Sequence, residues 1–253
     1  MSLFADVQQF VRECGRVTTV PELETLLDGA TRTFGFDYYA LGHHVSRAHA
    51  GPNTIRIMDY PDLWTDMISA RGYFTDDPVL AASERSAAAF DWFDLPDIIE
   101  LTERHVEIIE AAHDVGIGNG FVIPVHIPGE YPGSCSFTVR TGRSLPVANF
   151  PAAQYVGCFA FEAARRMTPA IAKFRPQGET SASQTLTQRQ FDCLMLVAKG
   201  KSDWDIGRLL GISDQTVHKH IEESKRRYGV PTRMQLVIRA LFNGQLTFSD
   251  VLN

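Results

Sequence analysis

The chain has 253 residues, 44% of them hydrophobic and 21% charged, which is the composition of an ordinary globular protein with room for two domains. Its formal net charge of -6 argues by itself against a nucleic-acid partner. The charge is unevenly distributed, however. Residues 1–183 hold 14 Lys and Arg against 23 Asp and Glu, whereas residues 184–253 hold 10 against 7. An acidic body with a basic C-terminal part is typical of a DNA-reading module joined to a domain that does not bind DNA.

Metal, disulfide and membrane features are not expected. The cysteines lie far apart and form no CxxC pair, so reduced thiols are expected at Cys14, Cys135, Cys158 and Cys193. His43 and His44 are adjacent in a strand-like run, which directs their rings to opposite faces and argues against a metal site. No stretch approaches about 18 consecutive apolar residues, and no leader pattern opens the chain. We therefore expect a cytoplasmic protein without a membrane partner, metal or cofactor.

The chain opens with two amphipathic helices, one from Phe4 to Cys14 and one from Pro21 to Phe34, and Gly35 ends the second. The apolar pattern then shortens to strand-like runs over 36–45 and 53–60. Because a polar, turn-rich loop joins these runs, they predict a β-hairpin.

The next segment predicts a helix that starts at Pro61, a longer helix from Pro96 to Val115, and strands over 120–127 and 134–140. A helix from Ala152 to Met167 closes this part. Helices at both ends surround four or five antiparallel strands, with no βαβ alternation. The pattern predicts an α+β domain over residues 1–168, an α/β/α sandwich with an antiparallel sheet.

Residues 169–185 are rich in Pro, Gly and Ser and predict a linker. A second domain, residues 186–253, opens with Thr187-x-x-Gln190, the pattern of a capping box, in which each residue satisfies a backbone amide near the helix start. A last helix is predicted from Arg233 to Phe242. The pattern predicts an all-α domain of about four helices.

The run from Asp205 to His220 has the pattern of a helix-turn-helix. A first short helix ends at Gly211, and Ser213 can cap the second helix. Such a turn needs a small residue where the two backbones approach, which Gly207 supplies, and an apolar residue that fills the junction, which Val217 supplies. An ordinary helical hairpin in a protein interior is the alternative.

The C-terminal region resembles the DNA-binding domain of LuxR-type transcriptional regulators. The matching residues include 186–190, 198–202, 205–206, 210–213 and 216–217. Gln190, Asp205 and Gly207 depart from the Glu, Glu and Ala usual in the family. The resemblance and the outward-facing residues of the second helix give the candidate DNA contacts Lys201, Ser213, Gln215, Thr216, His218, Lys219 and Lys225. The alternative for the basic residues is a merely solvated helical face.

The N-terminal part resembles the acyl-homoserine-lactone-sensing domain of the quorum-sensing branch of that family. The motif residues, in order, are Tyr60, Trp64, Asp77-Pro78, Trp92 and Gly120. The resemblance implies that Trp64 donates to the lactone carbonyl, Asp77 accepts from the ligand amide, Tyr60 bonds the acyl carbonyl and Trp92 covers the ring. The full set of expected ligand contacts is Tyr60, Trp64, Ile68, Asp77, Val79, Leu80, Trp92, Ile117 and Thr138. Considered one at a time, the aromatic residues would more simply be core residues.

The combined pattern predicts a homodimeric transcription factor that binds an acyl- or aryl-homoserine lactone and a palindromic operator in double-stranded DNA. The family usually has Tyr where this chain has Ile68. That departure keeps open a second hypothesis, a LuxR-type solo regulator that responds to a non-lactone signal or acts without ligand. A third hypothesis, an enzyme acting on the lactone, is disfavoured because no nucleophile with a base at recognisable spacing is present.

Overall fold

The computed structural model describes residues 3–46, 50–51, 54–128, 130–168 and 186–252. These residues form two compact units, an α+β unit at the N-terminus and an all-α unit at the C-terminus. The predicted fold class is confirmed. The predicted linker, residues 169–185, lies outside the described residues, so the predicted domain boundaries stay a prediction.

The N-terminal unit is built on a five-stranded antiparallel sheet with the strand order β2-β1-β5-β4-β3. The strands are β1 (Tyr38–His43), β2 (Arg56–Met58), β3 (Phe90–Asp91), β4 (Ile117–Val125) and β5 (Gly133–Arg140). The predicted hairpin is confirmed, since β1 and β2 pair antiparallel. In the described residues of this unit the helices are α1 (Leu3–Cys14), α2 (Val20–Thr33), α3 (Asp62–Ala70), α4 (Pro78–Ser83), α5 (Leu95–Ile98), α6 (Glu103–Asp114) and α7 (Phe150–Met167).

Strand β5 shows how the sheet separates the two helical layers. Side chains alternate between faces along a strand. Cys135 and Phe137 belong to the large core that α1, α2 and α7 cover. Ser134, Ser136 and Thr138 therefore point to the opposite face, on the side of α3 to α6. All three are buried, so the second face of the sheet has a buried row of hydroxyl groups.

His43, the last residue of β1, and His44, which follows it, keep the same alternation, as predicted. The His43 ring packs edge-on against Phe161 of α7, with ring centroids 5.4 Å apart. The His44 ring lies on the other face, where its Nε2 is 3.0 Å from Ser134 Oγ. The two rings are thus separated by the sheet.

The prediction of one helix from Pro96 to Val115 is wrong, because two helices, α5 and α6, occupy this stretch. Thr102 starts the second helix. Its Oγ1 accepts from the His105 amide at 3.2 Å, and its own amide donates to His105 Nδ1 at 3.2 Å. This capping box satisfies amides that a continuous helix would bond internally, so the chain restarts there.

The C-terminal unit contains, in its described residues, α8 (Gln188–Ala198), α9 (Asp203–Leu210), α10 (Asp214–Tyr228), α11 (Arg233–Phe242) and the short α12 (Phe248–Leu252). The last of these is additional to the predicted four. Leu194, Ile206, Val217 and Leu236 are fully buried in one core shared by four helices. Burial of each such side chain contributes roughly 1.5–3 kcal/mol. Within the described residues of the whole chain, no helix is long and apolar enough to span a membrane.

Candidate ligand cavity and nucleic-acid interface

A cavity of about 110 Å³ lies in the N-terminal unit between the sheet and the helices α3, α4 and α6. Eight of the nine predicted ligand contacts line it: Tyr60, Trp64, Ile68, Asp77, Val79, Leu80, Trp92 and Ile117. Thr138 is not among the lining residues, although it lies directly behind them. The structure thus brings the predicted residues together, and their contact with a ligand stays a prediction.

Asp77 is the acidic group of the cavity. It caps α4, where its Oδ1 accepts from the amides of Val79 at 2.8 Å and Leu80 at 3.4 Å. Both bonds go to Oδ1, which leaves Oδ2 for another donor. Burial raises the pKa of this carboxyl to about 6, and the two amide bonds oppose that shift. Asp77 is therefore ionised at neutral pH but held in an environment that favours a donor beside it.

Tyr60 lies near this carboxylate, and Trp92 and Thr138 supply two further polar groups beside Gly120. Burial raises the pKa of Tyr60, and the Asp77 charge raises it further, so the phenol is a neutral donor. The Thr138 hydroxyl lies within hydrogen-bonding reach of the Tyr60 phenol. Trp92 Nε1 is buried and has no hydrogen-bond partner among the described residues. Unpaired buried polar groups are costly, which makes them candidates for contact with a bound polar molecule.

Gly120 makes room for this arrangement. A Cβ at this position would come within 2.7 Å of Thr138 Cγ2 and 2.9 Å of Trp92 Nε1. Only glycine lets the indole N–H lie against the sheet here.

The rest of the lining is largely apolar. Trp64 is 6% exposed and packs against Tyr73, with ring centroids 5.9 Å apart. It belongs to a small core with Ile108 and Ile117, and Ile68 packs against that core. Trp64 is therefore a core residue and a cavity-lining residue at once.

The polar far end of the cavity is not among the predicted features. The lining there includes His44, Arg56, Ser134 and Ser136. The hydroxyl residues alternate at positions 134, 136 and 138 within a predicted strand, and that period of two was a usable signal. The pairing of His44 with Ser134 was not readable, because 90 positions separate the two residues.

The helix-turn-helix of the C-terminal unit is formed by α9 and α10. Gly211 ends α9 with a left-handed φ of 67°. A Cβ on Gly207 would come within 2.7 Å of the Ile212 carbonyl oxygen, so the backbones do approach at the predicted position. Val217 fills the junction and is fully buried. The predicted helix-turn-helix geometry is present.

The predicted DNA-contacting residues differ in solvent exposure and in ion pairing within the protein. Gln215, Lys219 and Lys201 are exposed. His218 is exposed as well, with its Nδ1 3.4 Å from Asp203 Oδ2. The side chain of Lys225 is only 17% exposed, and its Nζ lies 2.7 Å from Glu222 Oε1.

Ser213 and Thr216 are engaged in the cap of α10. Ser213 Oγ accepts from the Thr216 amide at 3.1 Å, and the two hydroxyl oxygens are 2.8 Å apart. Their first role is to fix the start of the helix.

Family models match both parts of the chain. The model of the autoinducer binding domain matches residues 19–166, which is more than half of the chain. The model of the bacterial regulatory proteins of the luxR family matches residues 184–240. The chain belongs to the LuxR-type, autoinducer-binding family of transcriptional regulators.

Two relatives match this LuxR-type chain over most of their length. The transcriptional activator AhyR of Aeromonas hydrophila is 24% identical over 241 residues, covering 94% of this chain and 91% of that protein. The transcriptional activator LuxR of Aliivibrio fischeri is 23% identical over 219 residues, covering 83% and 82%. These relatives are regulators by name.

Solved structures show the same fold. Escherichia coli SdiA matches with a TM-score of 0.62 and 21% identity, covering 97% of this chain and all of that one. The same protein solved in complex with octanoyl-rac-glycerol matches with a TM-score of 0.60 and 20% identity, covering 96% of each chain.

Two positions at which this chain differs from the residues usual in LuxR-type proteins, Gln190 and Asp205, still form the capping boxes of their helices. Gln190 still closes the capping box with Thr187, at 3.1 and 3.3 Å. Its Nε2 also donates to Glu223 Oε2 of α10 at 3.3 Å, a bond that a glutamate at 190 could not donate. Asp205 closes a second box with Ser202, accepting from its amide at 3.3 Å. The amide at 190 thus links the first helix of the unit to the second helix of the helix-turn-helix.

Proposed function

We propose that this protein is a ligand-responsive transcription regulator that binds an acyl- or aryl-homoserine lactone in the N-terminal cavity and a palindromic DNA operator as a homodimer. The observation that carries the proposal is the convergence of Asp77, Tyr60 and Trp92 on one cavity, where the buried Trp92 indole N–H has no partner in the described residues. A small amphipathic ligand with an amide and carbonyl groups complements this set.

The ligand is recognised by complementary hydrogen bonds. Its amide N–H donates to Asp77 Oδ2, because Oδ1 is occupied by the cap of α4. Its acyl carbonyl accepts from the Tyr60 hydroxyl, and its lactone carbonyl accepts from the Trp64 indole. Trp92 covers the ring. A hydrogen bond to a charged group contributes about 1.5–3 kcal/mol, so Asp77 is the strongest single determinant of head-group selectivity.

The size of the cavity couples binding to conformation. Ligand pockets usually enclose roughly 300–1,000 Å³, whereas this cavity encloses about 110 Å³. A lactone therefore has to move the walls apart, and the enlarged arrangement is the one it stabilises. Such differential affinity is how a ligand shifts a protein between states.

The C-terminal unit reads DNA with α10. Gln215 and His218 face base edges, and Lys219 and Lys201 contact phosphates, which set the register on the duplex. A dimer places two copies of α10 in successive major grooves, about 34 Å apart, so the operator is palindromic. The protein acts in the cytoplasm on its DNA target, and the domains are residues 1–168 and 186–253.

The experiment is expression of the full chain with and without candidate acyl and aryl lactones. Mass spectrometry of extracted ligand should recover one lactone at near one-to-one stoichiometry. Selection from random double-stranded DNA should then return a palindrome that is bound only by the loaded protein. If protein made without lactone is equally soluble, dimeric and able to bind DNA, the lactone proposal is wrong.

Two observations favour a second candidate, a non-lactone signal. The cavity wall has Ile68 where the family typically has Tyr, and the structural neighbour SdiA binds octanoyl-rac-glycerol. Recovery of a monoacylglycerol or another non-lactone molecule in the mass spectrum would favour this candidate. We do not propose catalysis, since the named relatives are regulators.

A further inference from the structure

The far end of the cavity has polar side chains, among them Ser134 and Ser136, that take no part in the proposed contacts with the ligand head group. In the register of β1 and β5, Tyr38 is opposite Thr138, Ala40 opposite Ser136 and Gly42 opposite Ser134. The three hydroxyl groups of β5 therefore follow one another along one face of the sheet, and Ser134 and Ser136 line the cavity. Four residues of a strand span about 13 Å, so Ser134 lies that far from Thr138 and the head-group end.

Ser134 is held by a histidine at this far end. Ser134 Oγ lies 3.0 Å from His44 Nε2, and His44 Nδ1 lies 3.6 Å from Glu84 Oε1. The His44 side chain is 3% exposed. Burial lowers the pKa of His44 to about 4, so the ring is neutral at physiological pH.

The arrangement assigns a direction to the hydrogen bond. The neighbouring Glu84 carboxylate favours the tautomer with the proton on Nδ1, which leaves Nε2 as an acceptor. Ser134 then donates its proton to His44, and its oxygen, which lines the cavity, keeps both lone pairs to accept from a ligand. Ser136, which is 6% exposed and also lines the cavity, makes no side-chain hydrogen bond within the described part of the chain.

We propose that the tail of the signal molecule ends in a hydroxyl group, aliphatic or phenolic, that donates to Ser134 Oγ, with Ser136 as a second hydrogen-bonding site along the tail. This inference deepens the proposed function and rests on the same cavity. A purely apolar tail would leave the acceptor lone pairs of Ser134 Oγ and the Ser136 hydroxyl without a partner from the ligand. A hydroxyl at the end of the tail donates to Ser134 Oγ and, because it is uncharged, does so without burying a charge.

Ser134, His44 and Glu84 follow one another in the order of a hydrolase Ser-His-acid triad. The structure disfavours a catalytic role for them. A histidine with a pKa of about 4 is a weak general base at neutral pH. Ser134 lies inside β5, paired on both sides with Gly42 of β1 and Pro124 of β4. The backbone around it is engaged in the sheet rather than presented as an oxyanion hole.

The test uses the purified full chain and pairs of ligands that differ only at the tail end. One pair is a long-chain acyl-homoserine lactone ending in a methyl group and its counterpart ending in a hydroxyl. The second pair carries the same tails on a glycerol ester. Isothermal titration calorimetry should show tighter binding of the hydroxyl member by about tenfold, the worth of one net hydrogen bond. Mass spectrometry should recover the glycerol ester intact.

A matched variant locates the effect. In Ser134→Ala the tenfold preference should disappear, and in Ser69→Ala, an exposed serine of α3 outside the cavity, it should persist. The wild-type preference is measured without any variant, so a Ser134→Ala protein that does not fold leaves the test intact.

The other outcomes overturn one or both proposals. Equal binding of the two tails, or a preference for the methyl tail, overturns the inference. A preference for a carboxylate tail would indicate Arg56 as the partner, and cleavage of the ester by wild type but not by Ser134→Ala would indicate a nucleophile. Either result overturns it. A hydroxyl preference seen only with the glycerol esters supports the tail inference and refutes the lactone head. No binding of any member refutes both.

Discussion

Replacement of Asp77 by Asn separates the two roles of this residue. Asparagine keeps an oxygen in the place of Oδ1, so the cap on the amides of Val79 and Leu80 is retained. The amide NH2 group of the asparagine then takes the place of Oδ2, so a donor instead of an acceptor faces the ligand amide. We expect the lactone to bind about 10- to 150-fold more weakly, which corresponds to the loss of about 1.5–3 kcal/mol for a hydrogen bond to a charged group.

The same substitution should stabilise the unliganded protein. The pKa of Asp77 is raised from 3.8 to about 6 in the folded state. Between these values the folded state binds more protons than the unfolded state, so stability falls as pH rises through this window. Above pH 6 the full penalty is present and amounts to at most about 3 kcal/mol. Asn carries no charge, so Asp77→Asn should unfold at a higher temperature at pH 7.5 and show no such pH dependence.

The assays are calorimetric titration with lactone and thermal unfolding without it, both from pH 5 to 7.5. Wild-type affinity should fall below about pH 6 as the carboxyl protonates, and the variant should show a flat profile. Asp76→Asn is the matched control, because Asp76 is the adjacent carboxylate, its side chain is 47% exposed and it pairs with Arg104. Unchanged lactone affinity in Asp77→Asn, or a lower unfolding temperature, would refute the reasoning.

Three further predictions concern the rest of the chain. Gln190→Glu keeps the capping box but sets a carboxylate against Glu223, and should destabilise the C-terminal unit by about 1–2 kcal/mol in urea unfolding; adding Glu223→Gln should restore most of the loss. Lys219→Ala should weaken DNA binding equally for all sequences and lower the salt dependence by about one counterion, whereas Gln215→Ala should change sequence preference, both measured by fluorescence anisotropy. Of the four thiols only Cys158 is exposed, so it alone should react rapidly with a thiol reagent, and Cys158→Ser should abolish that fast phase.

The sequence motif predicts only part of the lining of the N-terminal cavity. Trp64, Asp77 and Trp92 are predicted from their resemblance, in order and spacing, to the lactone-sensing domain of the family, and they do line one cavity. The second role of Asp77, the cap of α4, follows from the Pro78 that comes after it. The far end of the cavity, with His44 and Ser134, belongs to no motif and was missed.

The helix boundaries show the same limit on a local scale. The apolar pattern predicts one long helix across residues 96–115. Thr102 nevertheless marks a helix start, because it lies three residues before His105, whose side chain can bond back to the backbone. A histidine, rather than Glu or Gln, completes this box, so the usual sequence pattern of a capping box is absent.

The sequence by itself determined the features that arise within a few residues of one another. The capping boxes of α8 and α9, the turn at Gly211 and the alternation along β5 depend on backbone sterics and on hydrogen bonds between residues about three or four positions apart, or on a period of two. Only the tertiary structure decided which face of β5 lines the cavity and that His44 meets Ser134. The reason is that antiparallel pairing joins distant segments, and a register shifted by one residue would have turned every one of these hydroxyl groups to the other side of the sheet.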